Sequence, residues 1–556
     1  MNTSNLPGMP PSGIVSRFVP VKRVLWTDGQ VERAEKLVGC TKTQVSFAPE
    51  SEMCTLISTD KPASILLDFG CELHGFVRPL VRFINTKNVR VRVRFGESAN
   101  EAMADIGEKN ATNDHINRDV TRDLQSLYMP EFGPTGFRFV RIDLLTPGAV
   151  MALEGVIGIL RVRDLPYKGS FNCPDERLNQ IWKTGAYTVQ LCMQDYVWDG
   201  IKRDRLVWLG DMHPETSTIQ AVFGQTDVVR ASLDLARDTT PLPSYINGIE
   251  SYSIWWIRNH KDHYIHYGDM DYLKEQYDYL KPLTIQLANL IGEDGRPALS
   301  APPFIEWPSC SMDDAKYEGF HGLMHLGLLD AAELLELLGD GETAQIARDA
   351  ADRMMRWQPP FGGYKQTTAM AMLGGVVPMD EGAQKLLENG AEGLSTFWGY
   401  YTLCALAESG NTTAALDDMR NFWGAMIDRG ATTFWEDFSL SWLDNAGRID
   451  ELTPAGMEDL HGDRGGYCYL GFRHSLCHGW ASGPTAFMSQ YVLGVKPTAP
   501  GCSEVTIKPH LGDLAWAEGT YPTPHGEIYV RHDRQPDGLV KTRVCAPGGV
   551  KVTVAE

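Results

Sequence analysis

The spacing of hydrophobic residues changes twice along this chain, and no other feature constrains its fold as strongly. Apolar and polar residues first alternate, as in the run VRVRVRF at residues 89–95, which is the pattern of a strand with one buried face. From Leu178, Ile181 and Trp182 onwards the apolar residues recur at the spacing of one helix face. Alternation returns in the run EVTIK at residues 504–508. The pattern therefore predicts β, α and β parts in that order.

The chain has 556 residues, which is too many for a single hydrophobic core, so we expect several domains. The pattern predicts a flexible lead-in at 1–15, an antiparallel β-sandwich at 16–168, a helical domain at 169–494 and a C-terminal β-sandwich domain at 495–556. About ten to twelve helices in the helical domain fit paired helices in an (α/α)6 barrel, although periodicity alone also allows an α-solenoid. The absence of a fixed sequence repeat weakens the solenoid interpretation.

The amphipathic pattern locates most of these helices. Glycine and proline are frequent between the segments, which favours loops there. Asn172 or Asp175 is suitably placed to cap the first helix. The predicted segments are roughly 175–195, 212–238, 248–267, 270–293, 316–338, 342–357, 395–409, 412–429 and 474–493.

Charge and composition exclude several classes of function. A net charge of -20 argues against a nucleic-acid partner, because phosphate neutralisation needs a basic face. No run approaches the roughly 18 consecutive apolar residues of a membrane helix, and the N-terminus lacks the pattern of a signal peptide. The 11 cysteines are dispersed without a CxxC pair, which is typical of free thiols in a reducing compartment. We therefore predict a cytoplasmic protein without a membrane partner, and we predict no cofactor and no metal because no corresponding motif is present.

The strongest chemical signal is the segment DGIKRDRLVWLGD at residues 199–211. Each of its two glycines would cost roughly 1 kcal/mol inside a helix, so we place the segment on a loop that leads into the next helix. Loops in such positions often carry chemistry. Taken singly, Asp211 could cap the next helix, and Asp204 could pair with Arg203 or Arg205 at the surface, which stabilises little.

The segment resembles a signature of the α-L-rhamnosidases of glycoside hydrolase family 78, which reads roughly D-G-x-x-R-E-R-x-x-W-x-G-D. The run GATTFWE at 430–436 is similar to the family's G-A-T-T-x-W-E, and SLCHGWASG at 475–483 is similar to its S-x-N-H-x-x-x-G, with Cys477 where the family tends to have Asn. Short runs in the first β part also resemble the family's accessory domain, so the resemblance covers most of the chain from about residue 60. The residues of the first signature that match in register are Asp199, Gly200, Arg203, Arg205, Trp208, Gly210 and Asp211.

The resemblance implies that the helical domain is catalytic and hydrolyses a glycoside with inversion. Inversion needs two carboxyl groups about 6.5–9.5 Å apart, one to protonate the leaving oxygen and one to activate water. Carried over residue by residue, Asp204 becomes the general acid and Glu436 the general base. Asp199 and Asp211 are implied to bind sugar hydroxyls. We expect the two catalytic acids, distant in the chain, to face one cavity.

One departure from the family pattern concerns the acid, because Asp204 stands where the commoner pattern has Glu. The carboxyl is drawn back by about 1.5 Å, and a displacement of that size can cost about a hundredfold in rate. Either the loop lies closer to the sugar, or another carboxylate such as Glu306 is the acid, or the enzyme is impaired. Because an adjacent guanidinium favours the ionised form of a carboxyl, we expect Arg203 and Arg205 to point away from Asp204.

Aromatic and polar side chains complete the predicted sugar site. Pyranose C–H patches stack on indole faces, and the methyl group of rhamnose needs an apolar corner. Because Trp255 and Trp256 are adjacent, at most one of them should face the pocket. The predicted sugar-binding residues are Asp199, Arg203, Trp208, Asp211, Trp255, Glu306, Trp307, Trp435 and His478.

The sequence thus predicts the hydrolysis of terminal non-reducing α-L-rhamnosyl residues from small glycosides or oligosaccharides, with a homodimer left as an option. Two alternatives stay open. The first is another barrel enzyme, a uronyl hydrolase or a lyase, and in a lyase the replacement of Glu436 by Gln would leave much activity. The second is a catalytically silent sugar-binding protein, which the Asp at position 204 makes plausible.

Overall fold

The first part of the protein is an antiparallel β-sheet. The computed structural model describes residues 13–467 and 469–555. The strands of this sheet are β1 (Ile14–Pro20), β2 (Arg23–Asp28), β3 (Gln30–Glu32), β4 (Cys54–Ile57), β5 (Ala63–Ile84), β6 (Val89–Gly96), β7 (Asp119–Leu124), β8 (Phe132–Leu144) and β9 (Val150–Arg163). Their order is β3-β4-β9-β5-β8-β6-β7, with β1 also paired to β9 and β2 to β5. In β6 the four apolar residues of the alternating run are buried, as the alternation predicted.

The start of the chain differs from the prediction. Residues 1–12 of the predicted lead-in lie outside the described residues, whereas Ile14 and Val15 already belong to β1 and pair with β9. A short helix, α1 (Ala99–Met103), follows β6 and is capped by Ser98, whose side chain accepts a hydrogen bond from the Glu101 amide.

The middle of the chain is helical. Asp175 caps its first helix by accepting hydrogen bonds from two backbone amides, and Leu178, Ile181 and Trp182 are buried on one face, so these predictions are confirmed. The helices are α2 (Glu176–Cys192), α3 (Met212–Val222), α4 (Asp227–Asp238), α5 (Glu250–Tyr267), α6 (Met270–Glu275), α7 (Tyr277–Asn289), α8 (Asp313–Leu337), α9 (Gly341–Met354), α10 (Lys365–Leu373), α11 (Met379–Leu387), α12 (Gly399–Glu408), α13 (Thr412–Asp428) and α14 (Gly483–Phe487).

The packing of the helices links elements that are distant in the chain. α3 packs against α5, α5 against α8, α8 against α10, α10 against α12, α12 against α14, and α14 against α3. The predicted segment 212–238 is two helices, because the chain turns at Gly224, which has a φ of 75°. α10 and α11 were not predicted. All but one of the residues of α10 are buried, so the helix lacks an exposed face and its sequence shows no amphipathic period. α11 is only 9 residues long, which is too short for a clear period.

Two small sheets follow. The first contains β10 (Ser170–Asn172), β15 (Trp516–Thr523), β16 (Gly526–Arg534) and β17 (Val540–Cys545), and the second contains β13 (Val495–Pro497), β14 (Glu504–Ile507) and β18 (Lys551–Val554). Since β10 precedes the helices and pairs with β15, this sheet joins the two ends of the helical part. A two-stranded hairpin, β11 (Gly465–Gly466) and β12 (Tyr469–Leu470), projects before α14.

Two further features bear on the predictions from composition. Each cysteine within the described residues is a free thiol. Every helix in the described part of the chain is too short or too polar to cross a lipid bilayer.

Candidate active site

The predicted loop segment lines a cavity of about 180 Å³. Residues 199–211 contain no helix, as predicted, and α3 begins at Met212 directly after them. The first turn of α5, the hairpin of β11 and β12, and the loop after α13 complete the walls. The lining residues are Asp199, Asp204, Trp208, Asp211, Ile249, Tyr252, Phe304, Trp307, Glu436, Tyr469, His478 and Trp480.

The two predicted catalytic acids line this cavity and are joined by one guanidinium group. Arg203 donates from Nη1 to Asp204 Oδ2 over 2.9 Å and from Nη2 to Glu436 Oε1 over 2.5 Å. Its Nε donates to the carbonyl of Arg473. Its Cζ lies over the Tyr469 ring, 3.4 Å from the ring centroid. One guanidinium therefore bridges the two carboxylates, which lie on loops more than two hundred residues apart in the chain.

This geometry corrects one prediction. Arg205 does point away from Asp204, towards the carbonyls of Pro134 and His115. Arg203 instead contacts Asp204 directly. The physical reason is that Glu436 is buried and needs a counter-ion, and the flat guanidinium that supplies it presents a second N–H edge to Asp204.

Glu436 is held in its ionised form. It is 3% exposed, and burial alone would raise its pKa, but Arg203, His478 and His474 outweigh burial and lower the pKa to about 2. Its Oε2 also accepts a hydrogen bond from the amide of Ser475 over 3.0 Å. A carboxylate that stays ionised is suited to act as a base.

Asp204 stands on a strained backbone. Asp204 and Arg205 have φ values of 51° and 57°, in the left-handed region that non-glycine residues seldom adopt. The Asp204 side chain is 15% exposed, and its Oδ1 lies 3.3 Å from Nδ1 of His115, a residue of the β-sheet part. Two consecutive left-handed residues turn the loop sharply at the point where the carboxyl enters the cavity.

Two further aspartates line the cavity, and their pKa values are shifted in the opposite direction from that of Glu436. Asp211 accepts hydrogen bonds from the Tyr252 hydroxyl over 3.0 Å and contacts His478 Nε2 at 3.1 Å. Asp199 accepts one from the Leu206 amide over 2.9 Å. Burial raises the pKa of Asp211, and it raises the pKa of Asp199 to about 8. The cavity therefore combines a carboxylate that stays ionised, Glu436, with a carboxyl that holds a proton at neutral pH, Asp199, the contrast by which acid and base roles are recognised.

His478 completes this group of ionisable residues. Burial alone would lower its pKa, but the nearby Glu436 and Asp211 outweigh that effect and raise the pKa. The ring lies 4.4 Å from that of Trp480. His478 is thus fixed between two carboxylates at the wall of the cavity.

An aromatic wall faces the acids. Trp208 contacts Tyr252 edge-on at 6.0 Å, and Trp307 contacts Phe304 and Tyr469 edge-on at 4.9 and 5.9 Å. Such rings offer both flat apolar faces and polar edges, a combination suited to pyranose rings.

The structure does not bring every predicted residue to this cavity. Glu306 is buried in a small neighbouring cavity, where it accepts hydrogen bonds from Ser395 and the Trp398 amide and burial raises its pKa to about 8. Trp255 is fully buried and stacks on Tyr401 at 5.3 Å, one turn further along α5 than the cavity. Trp435 is buried and does not line the cavity. Its ring contacts Phe438.

Five lining residues were not predicted from the sequence: Ile249, Tyr252, Phe304, Tyr469 and Trp480. Ile249 directly precedes α5, Tyr252 lies in its first turn, Phe304 lies on a loop and Tyr469 begins β12. For Tyr252, a signal was available, because it precedes Trp255 by one turn on a helix already suspected of facing the site. For Phe304 and Tyr469, the sequence offers no periodicity that fixes where the side chain points.

The β-sheet part supports the site directly. Lys202, in the loop beside Arg203, lies 3.1 Å from Glu97 and 3.2 Å from Glu101. Glu97 in turn accepts hydrogen bonds from the Leu476 amide and the Ser475 hydroxyl, and the Ser475 amide binds Glu436. Among the described residues, the spacing of Glu97, Glu101 and His461 could hold a metal ion. The ammonium of Lys202 already supplies a positive charge beside both glutamates.

Two stretches of the chain match known domain models. Residues 166–315 match the bacterial alpha-L-rhamnosidase 6 hairpin glycosidase domain, and residues 494–555 match the bacterial alpha-L-rhamnosidase C-terminal domain. Both matches are to domains of bacterial alpha-L-rhamnosidases. The predicted resemblance to these enzymes is therefore confirmed. The first match begins before α2 and contains the segment 199–211, and the second covers most of the C-terminal strands.

Two alpha-L-rhamnosidases are similar over shorter stretches. That of Alteromonas sp. (strain LOR) is 32% identical over 118 residues, which is 21% of this chain and 10% of that protein. That of Formosa agariphila is 23% identical over 201 residues, 31% of this chain and 20% of that protein. The match therefore spans a small share of the length of these relatives.

Solved rhamnosidase structures share the fold. The family 78 rhamnosidase of Bacillus sp. GL1 superposes with a TM-score of 0.76 at 22% identity, over 94% of this chain and 55% of that chain. The rhamnosidase of Klebsiella oxytoca with rhamnose bound gives a TM-score of 0.67 at 18% identity, over 86% of this chain and 96% of that chain. The Streptomyces avermitilis alpha-L-rhamnosidase complexed with L-rhamnose gives 0.66 at 19% identity, over 88% and 48%.

Proposed function

We propose that this protein hydrolyses terminal non-reducing α-L-rhamnosyl residues by an inverting mechanism. The observation that carries the proposal is the placement of Asp204 and Glu436 in one cavity, each in contact with Arg203. Inverting hydrolysis needs two carboxyl groups with room for a water molecule between them. The family match and the aromatic wall support a sugar as the substrate.

The proposed roles follow from the electrostatics of the cavity. Glu436, ionised across the physiological pH range because its pKa is about 2, takes a proton from the attacking water. Asp204 gives a proton to the oxygen of the leaving group. Asp199, Asp211 and His478 bind sugar hydroxyls, and the apolar rings accept the C–H faces and the methyl group.

Asp199 is a second candidate for the acid. It lines the cavity and its pKa is raised to about 8 by burial, so it carries a proton at neutral pH, as a general acid must. Glu306 has a similar pKa but does not line the main cavity. We retain Asp204 as the acid, because it occupies the position of the acid in the family's motif.

We also propose that the helical part, residues 169–494, is an (α/α)6 barrel between a β-sandwich at 16–168 and a C-terminal β-sandwich domain at 495–556. The packing order of α3, α5, α8, α10, α12 and α14, which begins and ends at α3, supports six inner helices with the remaining helices outside them. The name of the matching domain, with its six hairpins, supports the same arrangement.

The predicted substrate is a small rhamnosyl glycoside or oligosaccharide. The free thiols of the described residues support a reducing compartment and hence the cytoplasm. Assembly as a homodimer stays a prediction, and light scattering would test it.

A screen of aryl glycosides tests the function. We expect turnover of aryl α-L-rhamnosides and not of α-L-fucosides or β-D-glucuronides, and we expect β-L-rhamnose as the first product in a proton NMR time course. Initial release of α-L-rhamnose would refute inversion. Calorimetric binding of rhamnose without turnover of any rhamnoside would favour the catalytically silent alternative.

A further inference from the structure

A second cavity, of about 340 Å³, lies among the same helices, beyond the candidate active site. Tyr252 in the first turn of α5 lines the active-site cavity, whereas Asp262 and His266 near the end of α5 line the second one. The lining of the second cavity begins on α5 at Trp255, one turn beyond Tyr252, and extends to His266. The two cavities share no lining residue, so a molecule in one does not occupy the other.

The walls of the second cavity present hydrogen-bonding atoms that lack partners. Among the described residues, Gln220 Nε2, Trp255 Nε1 and His266 Nε2 are buried without a hydrogen bond, and the three side chains are at most 5% exposed. Buried polar groups are almost always paired, since leaving one unpaired is unfavourable. Gln220 and Trp255 thus offer two unpaired donors, and Nε2 of the neutral His266 ring, whose N–H is directed to the Pro522 carbonyl, offers an unpaired acceptor. Unpaired donors and an acceptor around one cavity indicate a bound molecule with both kinds of hydrogen-bonding group.

The fixed charges around the cavity are already paired. Arg258 donates to Asp330 over 2.6 Å, His213 Nε2 lies 3.0 Å from Asp262, and Lys496 lies 2.5 Å from Glu408. A charged ligand would have to compete with one of these partners. The pairing therefore favours a neutral molecule.

Aromatic rings supply the remaining surface. Trp255 and Tyr401 are stacked at 5.3 Å with an interplanar angle of 23°, and Tyr491 and Tyr521 also line the cavity. Flat rings beside unpaired donors suit a molecule with C–H faces and many oxygen acceptors. The volume lies within the range of about 300–1,000 Å³ that ligand pockets occupy.

We propose that this cavity is a second binding site, for a neutral polyhydroxylated molecule of monosaccharide size. The site is independent of the proposed hydrolysis, because its residues take no part in the candidate active site.

Calorimetric titration of the full chain with L-rhamnose, D-glucose and D-galactose tests the proposal. We expect at least one of these sugars to show a binding event that Gln220→Met weakens about fivefold, since one hydrogen bond to a neutral acceptor is lost. The same substitution should leave kcat/KM for an aryl α-L-rhamnoside unchanged. Gln345→Met, on the exposed face of α9, is the matched control and should change neither quantity.

Soaking crystals in the sugar that binds gives a second readout that does not depend on a variant. Density for the sugar against Gln220 and Trp255 supports the proposal. Density for water alone in this cavity overturns the proposal. Calorimetric binding of inorganic phosphate, with no binding of the three sugars, also overturns it. Absence of hydrolysis with sugar retained in this cavity would refute the proposed function alone.

Discussion

At the scale of single residues, Arg203 contacts two acids that the proposed reaction needs in opposite protonation states. Its ion pair with Glu436 contributes to the low pKa of that carboxylate. Asp204 contacts Arg203 through Oδ2 and His115 through Oδ1. Its side chain is more exposed than that of Glu436. We propose that the leaving group of the substrate binds beside Asp204 and displaces Arg203 from this carboxyl. The buried contact of Arg203 with Glu436 is then retained.

Removing either acid should nearly abolish turnover. We expect Asp204→Asn and Glu436→Gln each to lower kcat for an aryl α-L-rhamnoside by about 10²–10⁴, the usual contribution of a general acid or base. Asp195→Asn and Glu392→Gln, both exposed, are matched controls and should stay within about twofold. Substantial activity in Glu436→Gln would point to a lyase instead.

The dependence on leaving group separates the two candidate acids. A 2,4-dinitrophenolate departs without a proton, so a variant that lacks the acid should hydrolyse that rhamnoside far better than an alkyl rhamnoside. We expect Asp204→Asn to show this selective recovery and Asp199→Asn to be impaired on both substrates. The reverse pattern in steady-state kinetics would assign the acid to Asp199.

Glu306 should make stability depend on pH. Burial raises its pKa from 4.5 to about 8, so the folded protein holds a proton there that the unfolded chain releases. Its stabilising contribution is complete below pH 4.5 and is lost as the pH rises towards and through 8. Glu306→Gln does not titrate, and its free energy of unfolding relative to the natural protein should therefore rise by a few kcal/mol across that range. Urea unfolding at several pH values would measure this. A pH-independent difference, as we expect for the exposed control Glu392→Gln, would contradict the account.

At the scale of helices and strands, local patterns predicted the elements whose faces are half buried. β6 and α2 each have one apolar and one polar face, and both were predicted. α10 was not, because burial on nearly all sides leaves no period to detect. The segment 212–238 was predicted as one helix but forms two. The helical period continues on both sides of Gly224, so the spacing of apolar residues does not reveal the turn there.

The candidate site was predictable to the extent that it lies in motifs. The segments around Asp204 and Glu436 gave the acids, and both line one cavity. The aromatic residues were not predictable in the same way. Trp255 and Trp435 are buried elsewhere and Tyr469 was missed, because the direction of a ring depends on tertiary packing that sequence spacing does not encode.

The loop segment should depend on its buried lysine. Lys202 is 1% exposed and lies between Glu97 and Glu101, with two backbone carbonyls completing its contacts. Lys202→Met leaves two buried carboxylates without their cation, so we expect a loss of about 3–5 kcal/mol in the free energy of unfolding. Lys183→Met, at an exposed position of α2, should cost almost nothing. Urea denaturation of both variants provides the test, and a loss below about 1 kcal/mol for Lys202→Met would be inconsistent with it.

At the scale of the whole molecule, the β-sheet part and the helical part build the site together. Arg138 on β8 donates to the Gly430 carbonyl, and the Glu72 amide on β5 donates to Thr432, so the sheet holds the segment that leads to Glu436. Glu97 holds the neighbouring segment that carries His478. This arrangement explains why motif-like runs occur in the sheet as well as in the helical part, because the sheet supports the loops of the candidate site.

The most direct test of the central claim is azide rescue of a Glu436→Ala variant, followed by proton NMR of the product formed from 2,4-dinitrophenyl α-L-rhamnoside. With the base removed, azide fits in place of the water and attacks C1 as the C1–O bond to the phenolate breaks. We predict restored turnover and β-L-rhamnosyl azide as the product, because Glu436 faces the side of the sugar opposite the leaving group. No rescue, or formation of the α-azide, would contradict the assignment of Asp204 and Glu436 as acid and base across one cavity.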